Sequence, residues 1–500
     1  MVVNMNYSNL NILLNAYLKI EHKLPSSIFR NQLRLSQKLN LKSTYCRYFR
    51  TSKESIQSLK NGVTSLPSPQ EVTSILRENE FNMDFESGCV KSYDSNQLAS
   101  NTPIEDTRSE ATCKRTSGML MSVYDGHAGP ACAQVLSKRL LDYVAAALLP
   151  ADVLTIYLKE GAKDRLLETY NDRAEIVEEL KPIYESNFKQ YLNELEQSSR
   201  DINVRNALQQ AILKLDSDLS REVTEAFDNN SPIQQKTLSV ALSGAVACIC
   251  HVDGPHLHVA NVGDCNAVLG SLTEENLWVA KKITKEHNAE NFDELKRIWS
   301  EHPEQEKKTV IRRDRLLGEL APLRSLGDFR YKWTVQQLEK LAVPYVGARA
   351  VPLNYHTPPY LSAMPEIFYQ RLTAKDKFLI IGSDGLWDMI TPLQAVKLVG
   401  EHMKGKVFFN PLKLPRKNIQ LGDLDELLVH RKESLKSKPK DRNAATHLIR
   451  HAIGGTEYGV DHSRLAHLLS LSPDVSRMFR DDITVTVAFF DSEFLRQCPS

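Results

Sequence analysis

The stretch Met119-Leu120-Met121-Ser122-Val123-Tyr124-Asp125-Gly126-His127 sets the pattern from which the rest of the chain can be read. A short β-type apolar run, Met119–Tyr124, stops at an acid followed by glycine. Just beyond, Gly129-Pro130 opens a helix with Val135, Leu136, Leu140, Leu141 and Val144 along its apolar side. The strand His256–Val262 likewise leads to Asp264, within Asn261-Val262-Gly263-Asp264. Lys377–Ile381 leads to Asp384, within Gly382-Ser383-Asp384-Gly385, and Thr391-Pro392 then supplies an N-cap and first turn. Both Asp-Gly acids are therefore expected in strand-to-helix turns. The order is reversed where Glu105-Asp106 precedes a strand and where Asp481-Asp482 opens Ile483–Phe490. In that last strand Ile483, Val485 and Val487 share one face, with Thr484 and Thr486 on the other. Val240–His251 is the remaining clear strand.

A single Asp-Gly is an ordinary turn former. Several of them after separate apolar strands place carboxylates where they can converge at one edge of the sheets. Carboxylates so grouped repel one another, and a divalent cation neutralises them. An all-oxygen donor set favours magnesium or manganese over zinc or copper. Glycine beside the acid lets a backbone carbonyl approach the ion.

The bulk numbers are those of a globular chain. It has 500 residues, 42% hydrophobic and 25% charged, and a formal net charge of +1, so no global field attracts nucleic acid. The eight cysteines form no C-x-x-C pair, which argues against a zinc site or a dithiol. Cys248 and Cys250 fall on one strand face and read as buried, reduced thiols. No run reaches the ~18 apolar residues of a membrane span. The first 50 residues carry eight Lys/Arg against one acid, Glu21, with Leu10, Leu13, Leu14, Tyr17 and Leu18 able to form one side of a short helix. Residues 1–60 are thus expected to be a mitochondrial transit peptide and linker, with a disordered basic tail as the alternative. Residues 61–493 form the remaining domain, including a short helix over Pro69–Glu80. That domain has a leucine-patterned helical insertion at about 150–233 and a basic insertion at about 403–442, where eleven Lys/Arg face five acids.

The series Glu105-Asp106, Asp125-Gly126-His127, Ser243-Gly244-Ala245, Asn261-Val262-Gly263-Asp264, Arg324-Ser325-Leu326-Gly327-Asp328, Ser383-Asp384-Gly385-Leu386-Trp387-Asp388 and Asp481-Asp482-Ile483-Thr484 resembles, in order, the motifs of type 2C protein phosphatases. The resemblance implies an α+β fold, a four-layer αββα sandwich of two antiparallel sheets flanked by helices. It implies a site for two Mg2+ or Mn2+ ions. Asp125 bridges them, Gly126 offers its carbonyl, and Asp384 and Asp481 complete the inner shell of one. Glu105 and Asp106 hold metal-bound waters, and Asp264 goes with a third, weaker ion. Arg324 and Asp328 are left as structural members of the series. Two ions of this kind activate a water for in-line attack on a phosphate, and His127 is the expected proton donor to the leaving serine oxygen.

Further stretches resemble the branch of the family that acts on pyruvate dehydrogenase. Among them are Asp314-Arg315-Leu316-Leu317-Gly318, Asn354-Tyr355-His356-Thr357-Pro358-Pro359-Tyr360-Leu361 and Asn443-Ala444-Ala445-Thr446-His447-Leu448-Ile449-Arg450. Asn101 stands where most of the family has a phosphate-clamping arginine, and this branch is similar there. Thr107, Cys265-Asn266 and Tyr124 depart from the family pattern without removing an expected ligand. This resemblance implies phosphoserine on the decarboxylase α subunit of the complex as substrate. It also implies docking on the lipoyl domain of the acyltransferase core, a Ca2+ ion at that partner interface, a regulatory subunit and a place in the mitochondrial matrix. Two alternatives stay open: a type 2C phosphatase with another substrate, and an inactive family member acting as a scaffold.

Overall fold

The computed structural model describes residues 66–170, 177–198, 203–406, 428–429, 440–456 and 459–499. The leader and most of the basic insertion lie outside the described residues. The chain divides into two units, Met1–Ser65 and Leu66–Ser500, and both sheets belong to the second.

The main strands in chain order are β1 (Phe81–Asp84), β2 (Val90–Leu98), β3 (Thr107–Cys113), β4 (Met119–His127), β5 (Leu167–Tyr170), β6 (Gly244–Asp253), β7 (His256–Val262), β8 (Asn266–Leu272), β9 (Trp278–Lys282), β10 (Leu326–Gly327), β11 (Glu366–Arg371), β12 (Asp376–Gly382) and β13 (Ile483–Phe490). They form two antiparallel sheets. One runs β1-β2-β13-β12-β8-β9, the other β11-β7-β6-β4-β3-β5 with β10 paired to β6.

Alternation along the strands decides which layer each side chain enters. Met119, Met121 and Val123 of β4 and Val246, Cys248 and Cys250 of β6 meet Ala267, Leu269, Leu379, Ile381 and Ala488 between the sheets. The opposite face of β4, Leu120 and Tyr124, packs on helices α1 (Ala131–Ala147) and α2 (Val204–Asp228). The outer face of the first sheet, with Phe378, Ile380, Ile483, Val485 and Val487, packs on α3 (Pro392–Lys406), α4 (Ala444–Gly454) and α5 (His462–Leu469). The architecture is the expected four-layer sandwich. The Thr391 cap of α3 is present as a capping box, in which Thr391 N donates to Gln394 Oε1 at 2.9 Å and Gln394 N to Thr391 Oγ1 at 3.3 Å. The helix expected over Pro69–Glu80 spans Pro69–Arg77 behind a Ser68 cap.

Two boundaries differ from the sequence reading. The strand expected from Val240 begins at Gly244, and Val240–Leu242 end a helix, Gln234–Leu242, whose Thr237, Leu238 and Ala241 are buried. A continuous apolar run has no period to separate helix from strand. The helical stretch 150–233 also contributes β5, which pairs with β3. Its longest helix, α2, is part of the main core through Leu208, Ile212, Leu215, Leu219 and Val223. Cys89, Cys113, Cys132, Cys248, Cys250 and Cys265 are free and buried, as expected of reduced core thiols. Among the described residues no single helix is long and apolar enough to cross a membrane.

Candidate active site

Asp125, Gly126 and His127 lie inside β4, opposite Val246, Ala245 and Gly244 of β6. This corrects the expectation that Asp125 occupies a strand-to-helix turn. The small residues Gly244 and Ala245 carry the ladder past the acid, and the chain turns only at Ala128 and Gly129, both at positive φ. Gly126 is required by contact, since a Cβ there would sit 2.3 Å from the Glu105 carbonyl oxygen. That approach sets the entry to β3, with Glu105 and Asp106, against the end of β4. The Glu105 carboxylate then accepts from Gly129 N at 2.7 Å.

The second Asp-Gly step has the same construction. Asp384 opens a helical turn, Asp384–Trp387, directly after β12. A Cβ on Gly385 would lie 2.0 Å from the Asp482 carbonyl oxygen. Each glycine thus lets its own acid meet the acid pair at the start of another strand. Asp482 is fully engaged in structure. Its carboxylate accepts from Ser100 N at 2.5 Å, from Asn101 N at 2.8 Å and from Glu105 N at 2.8 Å. Asn101 Nδ2 donates to Asp482 Oδ2 at 3.1 Å and to Asp481 Oδ1 at 3.3 Å. The amide expected to contact substrate is therefore tied to the acid pair.

Electrostatics show that the acids converge. Burial, then the charges of Asp384, Asp106, Asp264 and Asp481, hold the Asp125 carboxyl well above the usual carboxylate range. Burial and the charges of Asp264, Asp388, Asp481 and Asp106 do the same to Asp384. Burial and Asp482 push Asp106 up to about 8, and burial pushes Asp264 up to about 6. Glu105 is raised by burial in spite of the Gly129 hydrogen bond. Asp106 Oδ2 and Asp384 Oδ1 are buried and accept no hydrogen bond. Buried carboxylate oxygens without donors are what a hard divalent cation satisfies, and the donor set fits one. Among the described residues no three of these side chains stand in a closed ligand shell.

His127 stands at the edge of this group. Its Nε2 is 2.6 Å from Asp328 Oδ2, and Ser325 Oγ donates to the same oxygen at 2.6 Å. Burial opposes a charge on the ring, but Asp328, Asp264 and Glu105 outweigh it and raise the His127 pKa. Asp328 is buried, sits at φ 51°, and donates its N–H to Ser243 O at 3.0 Å.

The family model described as protein phosphatase 2C matches residues 160–420. The chain is 42% identical over 450 residues to the human mitochondrial [pyruvate dehydrogenase [acetyl-transferring]]-phosphatase 1, covering 85% of this chain and 83% of that one. The chain belongs to the protein phosphatase 2C family. It is 40% identical to the human phosphatase 2 of the same name, with 85% and 84% covered. To the phosphatase 1 of Saccharomyces cerevisiae it is 30% identical, with 80% and 68% covered.

Within this phosphatase fold the structure connects two acids to the site that their motifs alone do not assign. Asp328, expected to be structural, is the partner of His127. Asp388, present in its motif without a role, bears electrostatically on Asp264 and Asp384. Its signal lies in the spacing, because Asp384 and Asp388 are four apart, which brings side chains to one helix face. Arg324 is structural, as expected, donating to Glu294 Oε2 at 2.9 Å and to Met364 O at 2.8 Å.

Proposed function

We propose that this phosphatase is a mitochondrial enzyme that removes phosphate from phosphoserine on the decarboxylase α subunit of pyruvate dehydrogenase, and so reactivates the complex. The observation that carries the reading is the set of mutually repelling carboxylates at the strand ends of both sheets, in which buried Asp106 and half-buried Asp125, Asp264 and Asp384 are joined by exposed Asp481. The names and high identity of the mitochondrial relatives support the choice of substrate.

In this reading Asp125, the Gly126 carbonyl, Asp384 and Asp481 hold two magnesium or manganese ions. Glu105 and Asp106 act through water, and Asp264 serves a third, weaker ion. Bound there, such ions cancel the carboxylate charge, acidify a water and screen the phosphate. The protein supplies the rest. Asp482 fixes the loop from Ser100 to Glu105, and Asn101 keeps Asp481 oriented. Asp328 holds His127 Nε2, so the proton given to the leaving serine oxygen resides on Nδ1.

Residues 1–60 act as the transit peptide and linker that bring residues 61–493, the catalytic domain, into the matrix. Docking on the lipoyl domain of the acyltransferase core, a Ca2+ ion shared with that partner and a regulatory subunit complete the proposal. The test is phosphate release from a panel of mitochondrial phosphoproteins that includes phosphorylated pyruvate dehydrogenase. Preference for that substrate supports the reading. Faster release from another protein overturns the substrate choice, and no release from any member with magnesium or manganese overturns the enzyme.

A further inference from the structure

The segment before Asp481-Asp482 presents two large apolar side chains in succession. Met478 is 68% exposed and Phe479 is 39% exposed. They come just after one helical turn, Pro473–Ser476, and stand beside exposed Arg477. The backbone beneath them is fully engaged. Arg477 N, Met478 N, Phe479 N and Arg480 N donate to Pro473, Val475, Ser476 and Ser476 carbonyls at 3.3, 3.0, 2.9 and 3.1 Å. The tip is also fastened to the site. Ser100 Oγ donates to Arg480 O at 2.9 Å, and the Arg480 guanidinium donates to Leu98 O at 3.4 Å and Ala99 O at 2.5 Å. The 98–101 loop to which it is fastened carries Asn101, whose amide touches Asp481. Exposed Thr102 and Pro103 continue the same rim toward Glu105.

We infer that Arg477, Met478 and Phe479 form a recognition ridge for the phosphoserine-bearing segment of the protein substrate. The inference rests on the phosphatase reading. A side chain that brings its phosphate to the acid site bordered by Asp481 has its own neighbours in the chain pass over a ridge that begins two residues from Asp481. Exposed apolar side chains on a braced turn gain by covering a partner's apolar residue. Arg477 adds a charge suited to a phosphorylated segment at a rim dominated by carboxylates. The ridge thus selects a phosphoserine with an apolar residue close to it in sequence, and it does nothing for a small phosphate ester.

The experiment uses the full chain carrying Met478→Ser and Phe479→Ser together. KM and kcat are measured on the phosphorylated decarboxylase subunit and on p-nitrophenyl phosphate. The expected result is a rise in KM of about 5- to 20-fold for the phosphoprotein and a change of less than about twofold for the aryl ester, from the apolar area no longer covered. The paired variant Met478→Leu, Phe479→Leu is expected to restore the phosphoprotein KM. An unchanged phosphoprotein KM overturns the ridge while leaving the phosphatase reading intact. Equal losses on both substrates also overturn it, because the segment would then only support the acids. Wild-type protein that turns over neither substrate with magnesium or manganese overturns the phosphatase reading itself.

Discussion

His127 Nε2 meets Asp328 Oδ2 at 2.6 Å, and Gly244 is what lets them meet. A Cβ at Gly244 would stand 2.1 Å from Asp328 Oδ2 and 2.3 Å from His127 Nε2. Two motifs of the family, Ser243-Gly244-Ala245 and Ser325-Leu326-Gly327-Asp328, thereby serve one purpose. They build a cradle in which a buried carboxylate fixes one imidazole nitrogen.

Asp328→Asn is expected to retain the fold and the metal response while losing about 10- to 100-fold in kcat on a serine phosphoester. That is part of the ~10²–10⁴-fold that a positioned general acid contributes. The loss on p-nitrophenyl phosphate is expected to be small, since that leaving oxygen scarcely needs a proton. Gly244→Ala is expected to show the same pattern, with added loss of stability. Steady-state kinetics on the two substrates checks both variants, and equal losses would assign Asp328 to the scaffold alone.

This dyad also marks the limit of what the sequence discloses. The sandwich is legible because strands such as Ile483–Phe490 bury alternate faces against different layers, and alternation survives in the one-dimensional pattern. The acids at strand ends are legible because Asp-Gly steps recur after apolar runs. The partnership of His127 with Asp328 spans 201 residues and depends on the absence of a side chain at Gly244, a contact no local spacing reveals. The start of β6 escapes the sequence for a related reason. Val240 and Val246 are both fully apolar positions, and only tertiary packing places one on a helix and the other on a strand.

The acid site is expected to be a source of instability until a cation fills it. Magnesium or manganese at millimolar concentration is expected to raise the thermal midpoint of the wild-type protein by several degrees, by mass action on a site present only in the folded state. Asp384→Asn removes one of the repelling carboxylates. Without metal its midpoint is expected to exceed that of wild type, and the metal-induced rise is expected to shrink. Differential scanning calorimetry with and without chelator measures both.

Between the sheets lies a titrating group away from the acids. Burial pushes Glu110 from its ordinary 4.5 up to about 7, against the pull of Arg108 and the hydrogen bonds of Thr486 and Ser95. A carboxyl whose pKa is raised on folding gives its full stabilising contribution below its unfolded value and loses it as pH rises through the folded one. The window here runs from about 4.5 to about 7. Glu110→Gln mimics the protonated form throughout. Its stability relative to wild type is therefore expected to improve by about 1–3 kcal/mol between pH 4.5 and pH 8. Urea unfolding of both proteins across that range checks this, and the difference between them cancels the titration of the acid site. A difference independent of pH would mean that Glu110 is ionised throughout.

The leader gives a test independent of the fold. Residues 1–60 fused to a reporter are expected to carry it into mitochondria, and changing Arg30, Arg34, Arg47 and Arg50 to Glu is expected to leave it in the cytosol. Fractionation or imaging reads the outcome. A wild-type leader that stays cytosolic would remove the transit-peptide assignment.

The most direct measurement of the whole account is phosphate release from the phosphorylated decarboxylase subunit by wild type and Asp384→Asn, each with magnesium, with manganese and with chelator. The account predicts turnover by wild type with either metal and none with chelator. For Asp384→Asn it predicts a loss of at least about 100-fold, consistent with an ion that carries several kcal/mol of the chemistry. Full activity of Asp384→Asn, or wild-type activity that persists in chelator, would contradict it.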